Sequence, residues 1–251
     1  MSATDRSVLV VIPTYQEAAN IDNVLQQVRS SAPWATVLVV DDNSPDGTAD
    51  LAEKVGEKFG QVEVLRRPGK SGLGSAYRAG FAWGLERGFD VLIEMDADLS
   101  HDPKDLPRLV AMIDDGADLV VGSRYVPGGA IPGWRAHRAL LSRSGNRYAT
   151  TVLGLDISDA TSGYRAYRAE VLKQIDLGQV RADGYGFQIE MAYDMVKAGA
   201  VVREIPITFV DRTEGVSKMS SRIVVEALAL VTFWGIRDRV LGRVRRRGPG
   251  R

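Results

Sequence analysis

The chain has 251 residues, 45% of them hydrophobic and 25% charged, enough to bury roughly three quarters of its unfolded surface in one α/β domain with a terminal extension. Lys and Arg number 32, as do Asp and Glu, so the overall charge gives a nucleic-acid partner no support. With no Cys and only His101 and His137, disulfides, thiolate zinc sites and a Cys nucleophile are excluded, and an imidazole-built zinc site is disfavoured.

The opening Met1-Ser2-Ala3-Thr4-Asp5-Arg6-Ser7 lacks the apolar stretch of a signal peptide. Val8 to Ile12 is a continuous apolar run ended by Pro13, the pattern of a strand buried on both faces. Asn20 then precedes Ile21, Val24, Leu25 and Val28, one face of a helix with an Asn cap. Val37 to Val40 predicts a second strand running into the turn-rich Asp41-Asp42-Asn43-Ser44-Pro45-Asp46-Gly47, and a helix from Thr48 carries Leu51, Val55 and Phe59. A weaker strand, Val62 to Leu65, leads through a loop with Lys70 and several Gly to a helix over Ser75 to Arg87. A buried strand, Val91 to Met95, follows. This βαβαβαβ order argues for a mostly parallel sheet with helices on both faces.

Beyond it, Asp105 to Asp115 predicts a helix, Asp118 to Gly122 a strand, and the Pro/Gly-rich 127–133 a candidate lid. Arg135 to Leu153 and Phe187 to Ala198 predict two more helices, the first basic through Arg135, Arg138, Arg143 and Arg147. Val201 to Phe209, interrupted by Pro206, predicts an edge strand. From Ile223 to Leu241, apolar residues interleave with Glu226, Arg237, Asp238 and Arg239 before an Arg-rich end. Its uncharged stretch falls well short of the ~20 residues that span a bilayer. It is either a helix lying in an anionic membrane interface or one packed on the domain. The expected division is a catalytic domain over 1–220 and an interfacial helix with a basic tail over 221–251.

The chemistry concentrates at strand ends. Asp96 and Asp98 follow a buried strand, where open α/β sheets bind ligands. Alternation in an extended segment puts them on one side, able to share a cation. Asp41 and Asp42 end another strand of the same sheet, and Pro13, Thr14, Tyr15 and Glu17 end the first, so all three loops are expected to meet at one crevice. Asp46 is better read as a cap for the Thr48 helix. Gly69-Lys70-Ser71 lacks the Gly that a P-loop needs at position 64, and Gly72-Leu73-Gly74 has Tyr77 where a dinucleotide fingerprint has its third Gly.

Taken together, Val11-Ile12-Pro13-Thr14-Tyr15-Gln16-Glu17, Val40 to Thr48, Asp96-Ala97-Asp98, Gly122-Ser123-Arg124-Tyr125, Ser162-Gly163-Tyr164-Arg165, Gly184 to Glu190 and Asp211 to Lys218 resemble the dolichol- and polyprenol-phosphate mannosyltransferases of inverting glycosyltransferase family 2. The resemblance implies a GT-A-type nucleotide-sugar-binding fold, GDP-mannose as donor, a polyprenyl phosphate as acceptor and a divalent cation, Mg²⁺ or Mn²⁺. By similarity, Pro13, Tyr15, Glu17, Val40 and Asp42 hold guanosine, and Asp96, Ala97 and Asp98 hold ribose and the metal-bound diphosphate, Asp96 and Asp98 being the metal ligands. Arg124, Arg212 and Lys218 match positions that meet donor or acceptor phosphate, with Asp98 counted among the catalytic set. Arg138 and Ser142 fall where some members bind the acceptor phosphate. Ser100 stands where some relatives have Gln as a further metal ligand, and Glu190 has no assigned role. Other relatives end in transmembrane helices. Here the expectation is a peripheral protein on the cytoplasmic face of a membrane, held by its tail helix, the lipid or a separate anchoring protein. Two competitors stay open: transfer of another sugar such as glucose on the same fold, and a phosphatase with D-x-D at a strand end, although that arrangement normally lies on the first strand.

Overall fold

A computed structural model of the chain describes residues 6–211 and 221–240. The elements in order are β1 (Val8–Thr14), α1 (Ile21–Ser31), β2 (Thr36–Asp41), α2 (Thr48–Phe59), β3 (Val62–Arg66), α3 (Leu73–Glu86), β4 (Val91–Glu94), α4 (Leu106–Asp114), β5 (Leu119–Ser123), α5 (Ala136–Leu153), β6 (Arg165–Arg168), α6 (Ala169–Leu172), α7 (Gly184–Lys197), β7 (Val202–Pro206) and α8 (Ser221–Val240). Among the described residues the strands form one sheet in the order β3-β2-β1-β4-β6-β5-β7. The first four strands of that order are parallel, β6 runs antiparallel to both its neighbours, and β7 rejoins parallel at the edge.

The unbroken apolar strands have the physical meaning expected of them. In β1, Val8, Val10 and Ile12 enter one core while Leu9 and Val11 enter the other, because successive side chains point to opposite faces. β2 and β4 divide in the same way. The first core is closed by α1 through Ile21, Val24, Leu25 and Val28 and by α4 through Leu106, Leu109, Val110 and Ile113. The second is closed by α3 and α7, where Tyr77 stacks on Phe187 at 5.8 Å. Helix α3 lies close to the sheet: a Cβ at Gly84 would sit 2.6 Å from Leu9 Cδ2 and 2.8 Å from Leu92 Cδ2.

The structure adds to the sequence expectations at β6, because a four-residue strand reading Arg-Ala-Tyr-Arg carries no apolar run. Its Arg165 is buried nonetheless, donating to the carbonyls of Gln188 at 2.6 Å and Ala160 at 2.7 Å. β4 ends at Glu94, so Asp96 lies in the irregular link after the strand and Asp98 in the turn that follows, and strand alternation does not explain their orientation. Within the Pro/Gly-rich segment 127–133, Ala130 bridges Thr208, its amide donating to Ile207 O and its carbonyl accepting from Phe209 N. The proline in 201–209 does mark an edge strand, as expected.

Helix α8 packs on α5 and α7, burying Ala227, Val231, Trp234 and Asp238. Trp234 stacks on Tyr193 at 6.5 Å, and Asp238 accepts from the Tyr193 hydroxyl and pairs with Lys197 at 3.3 Å. Its other side leaves Val225, Phe233 and Ile236 exposed. Among the described residues no helix is long and apolar enough to cross a membrane. The Arg-rich end, 241–251, lies outside the described residues.

Candidate active site

A cleft of about 670 Å³ opens at the carboxyl ends of β1, β2 and β4. Each of the three loops turns through a residue with positive φ directly after a site residue: Gln16 at 57°, Asn43 at 59° and Leu99 at 60°. Such conformations are uncommon outside Gly and tend to persist where surrounding structure enforces them. Here the enforcement comes from cross-bonds between loops. The amides of Gln16, Glu17 and Ala18 donate to Ser44 Oγ, Thr48 Oγ1 and Asp46 Oδ2 of the second loop. Asp41 accepts from Thr14 Oγ1 at 2.9 Å and from Ser44 Oγ at 2.6 Å, so it ties two loops together. Asp46 accepts from Thr48 N and Oγ1, the capping role expected of it.

Pro13, Tyr15, Glu17 and Asp42 line one end of the cleft. Asp42 is held by a partner that sequence reasoning missed. Arg67 Nη1 donates to its Oδ1 at 2.7 Å, and Ser71 N to its Oδ2 at 3.1 Å. Lys70 Nζ lies 4.3 Å above the Tyr15 ring. The α3 N-terminus is taken by protein: Gly74 N donates to Asp183 Oδ1 at 2.7 Å, and any Cβ at Gly72 would collide with that carboxylate. Val40 does not reach the cleft; its side chain is buried in the second core under Gly80.

Asp96, Ala97 and Asp98 line the middle. Tyr77 donates its hydroxyl to Asp96 Oδ1 at 3.2 Å, and Ser100 N donates to Asp98 Oδ1 at 3.0 Å. Behind them His101 stacks on Tyr164 at 4.9 Å and accepts from Asp96 N. Burial pushes its imidazole down to about 4, so it is neutral near pH 7. Two carboxylates and no soft donor fit a hard divalent cation that takes its remaining ligands from substrate oxygens and water. Among the described residues no group of three or more acidic, His or Cys side chains converges as a metal cage.

Two arginines also line the cleft, each paired with an aspartate. Arg124 is buried and bidentate with Asp159, both bonds at 2.7 Å, with a third bond to Thr161 Oγ1 at 2.8 Å. Burial alone disfavours the guanidinium charge, yet Asp159 outweighs it and raises the Arg124 pKa. Arg138 lies over the Trp134 ring at 4.0 Å and pairs with Asp211 at 2.7 Å, and Asp211 also accepts from Trp134 Nε1. Ser142 shares a hydrogen bond with the Tyr125 hydroxyl at 2.7 Å, beside the cleft rather than in it. Arg212 and Lys218 lie outside the described residues. Glu190 accepts from Ala182 N at 3.0 Å and so braces the segment before α7. Asp159, Asp183 and Arg67 carried no signal in the sequence beyond their charge, because the partners they hold lie 35, 109 and 25 positions away.

The profile of glycosyl transferase family 2 matches residues 9–176. The polyprenol monophosphomannose synthase of Mycolicibacterium smegmatis is 50% identical over 241 residues, covering 94% of this chain and 91% of that one. The undecaprenyl-phosphate mannosyltransferase of Micrococcus luteus is likewise 50% identical, over 92% and 95% of the two chains. A solved mannosyltransferase from Pyrobaculum calidifontis, in complex with GDP-Man and Mn²⁺, is similar in fold, with a TM-score of 0.64 at 19% identity over 93% of this chain and 65% of that one.

Proposed function

The chain belongs to glycosyl transferase family 2, and we propose from that premise that it transfers mannose from GDP-mannose to a polyprenyl phosphate, releasing GDP. The observation that carries the reading is a single cleft lined both by the carboxylates Asp42, Asp96 and Asp98 and by two arginines that aspartates hold in place. The names of the half-identical relatives support acceptor and sugar.

An oxygen of the acceptor phosphate attacks the anomeric carbon while the bond from that carbon to the GDP β-phosphate oxygen breaks. GDP leaves with the electron pair, and the configuration inverts. A phosphate monoester, with its second pKa of about 6, is mostly dianionic near neutral pH, so the reaction needs no protein base. Pro13, Tyr15, Glu17 and Asp42 bracket the guanosine, with Val40 supporting from beneath. Asp96 and Asp98 would hold Mg²⁺ or Mn²⁺, and Ala97 between them would leave room for the ribose. When bound, the cation neutralises charge developing on the departing diphosphate. Arg124 and Arg138, with Arg212, Lys218 and Ser142 assigned by sequence alone, attract and orient the acceptor phosphate.

A lipid acceptor also demands a route for its tail. The cleft is bordered by Arg138 of α5 and by Glu226, Ala227 and Leu230 of α8, and near these residues in sequence α5 exposes Leu140 and Leu141 and α8 exposes Val225. These features support a peripheral seat on a membrane; the cytoplasmic face and a separate anchoring protein belong to the proposal on the sequence resemblance alone.

The test incubates the protein with polyprenyl phosphate and labelled GDP-mannose or UDP-glucose, with and without a chelator. Incorporation from GDP-mannose alone, lost on chelation, is expected, and Asp98→Ala should lower turnover by at least about 100-fold with its circular dichroism unchanged. Incorporation from UDP-glucose alone would overturn the donor, and near-normal turnover in Asp98→Ala would overturn the site.

A further inference from the structure

The two arginine–aspartate pairs of the cleft are built differently. Arg124 and Asp159 are 4% and 0% exposed and joined by two side-chain bonds, so that pair is a fixed part of the lining. Arg138 and Asp211 are 47% and 44% exposed, and one bond of 2.7 Å joins them. The other oxygen of Asp211 accepts from Trp134 Nε1 at 3.0 Å. One carboxylate thus takes up two donors, and all three side chains line the cleft. Neither donor depends on Asp211 for its place. Arg138 rises from the first turn of α5 and lies over the Trp134 ring at 4.0 Å, and that ring packs edge-on against Phe209 at 5.9 Å. The backbone before Asp211 is also held without its side chain, Phe209 N donating to Ala130 O at 2.9 Å and Val210 N to Ser100 O at 3.2 Å. With the carboxylate moved aside, an indole N–H and a guanidinium stand together at the cleft.

We infer that Asp211 holds the seat of an incoming phosphate monoester: the acceptor phosphate displaces the carboxylate and takes over the bonds from Trp134 Nε1 and Arg138. The assignment rests on the acceptor reading above and adds to it a phosphate ligand, Trp134, and an internal competitor, Asp211. Charge favours the exchange. A half-exposed ion pair contributes little in water, and a phosphate dianion brings more charge and three acceptor oxygens to the same two donors. The pair at Arg124 does not exchange in this way, since parting it would strand a charge out of water.

The experiment follows the indole N–H resonance of Trp134, identified by its absence from Trp134→Phe, in the full chain with GDP and Mg²⁺ at constant ionic strength. The titrants are geranyl phosphate, a short water-soluble prenyl phosphate, and inorganic phosphate. Both are expected to move the signal, geranyl phosphate at a concentration at least about tenfold lower because its chain adds apolar contact. Asp211→Asn removes the competing charge and is expected to tighten geranyl phosphate about fivefold. Trp134→Phe keeps the ring against Phe209 and is expected to raise KM for the acceptor about tenfold with kcat within about twofold. GDP affinity, measured by calorimetry, should stay within about twofold in both variants. Weaker geranyl phosphate binding in Asp211→Asn would make the aspartate a brace for Arg138 and overturn the exchange. An indole signal that stays still, or a parallel loss of GDP affinity, would overturn the seat, and equal affinities for the two titrants would assign it to free phosphate rather than the acceptor. Should the wild-type chain transfer mannose to no polyprenyl phosphate, the acceptor reading falls, and inorganic phosphate titrated into wild type and Asp211→Asn still judges the exchange.

Discussion

At the scale of single residues, the site is built from charged groups held by other charged groups. Asp42 is aimed by Arg67, which also donates to Ser75 Oγ at 2.6 Å. A side chain that fixes another's orientation affects how well substrate is held more than the chemical step. Arg67→Leu is therefore expected to raise KM for GDP-mannose roughly tenfold and leave kcat within about twofold, because a hydrogen bond to a charged group is worth about 1.5–3 kcal/mol. A fall in kcat at unchanged KM would contradict the role. The strand-end carboxylates were legible in the sequence because each follows an apolar run with clear punctuation. Their holders were not. Arg124 reads in sequence as a phosphate ligand, yet most of its hydrogen bonds go to Asp159 and Thr161, and no local pattern links positions so far apart.

At the scale of elements, the C-terminal helix packs on the domain, one of the two arrangements open from sequence. One side of α8 is packed through Val231 and Trp234, and the other is left exposed. The packed side is secured by Asp238. Burial alone would raise its pKa, but Arg237, Tyr193 and Lys197 outweigh this and hold the carboxyl down at about 2. A depressed folded-state pKa means that the contribution is fully present above the ordinary value near 3.8 and is lost as pH falls through about 2. Protection of the α8 amides, measured as exchange relative to the intrinsic rate at each pH, is thus expected to fall between pH 4 and pH 2, ahead of the sheet. Asp238→Asn should flatten that dependence and raise α8 exchange already at pH 7. Wild-type α8 exchange that follows the sheet throughout would show that Asp238 does not dock the helix. Sequence spacing identified the helix itself; which residues it buries depended on α5 and α7 being beside it.

At the scale of the whole molecule, net charge is zero but its distribution is uneven. Helix α5 carries His137, Arg138, Arg143 and Arg147 and no acidic residue. Next to its arginines stand the exposed Leu140 and Leu141, an arrangement suited to an anionic lipid surface. Replacing both leucines by Gln is expected to weaken binding to anionic vesicles, measured by flotation, by at least about tenfold, since burying one Leu is worth about 1.5–3 kcal/mol. Transfer to a short, water-soluble polyprenyl phosphate should be unaffected. Equal loss with short and long acceptors would point to damage in the cleft instead.

The amino-acid sequence by itself determined the alternation of parallel strands and covering helices, the turn-rich loops at the strand ends, and the motifs that mark the family. These are local properties, set by side-chain periodicity, backbone punctuation and short runs of residues. Only the tertiary structure decided where β6 enters the sheet, how the segment after β4 places Asp96 and Asp98, and which carboxylate holds which arginine. Each of these depends on groups brought together from distant positions, and a buried polar group is satisfied by whatever the fold places next to it.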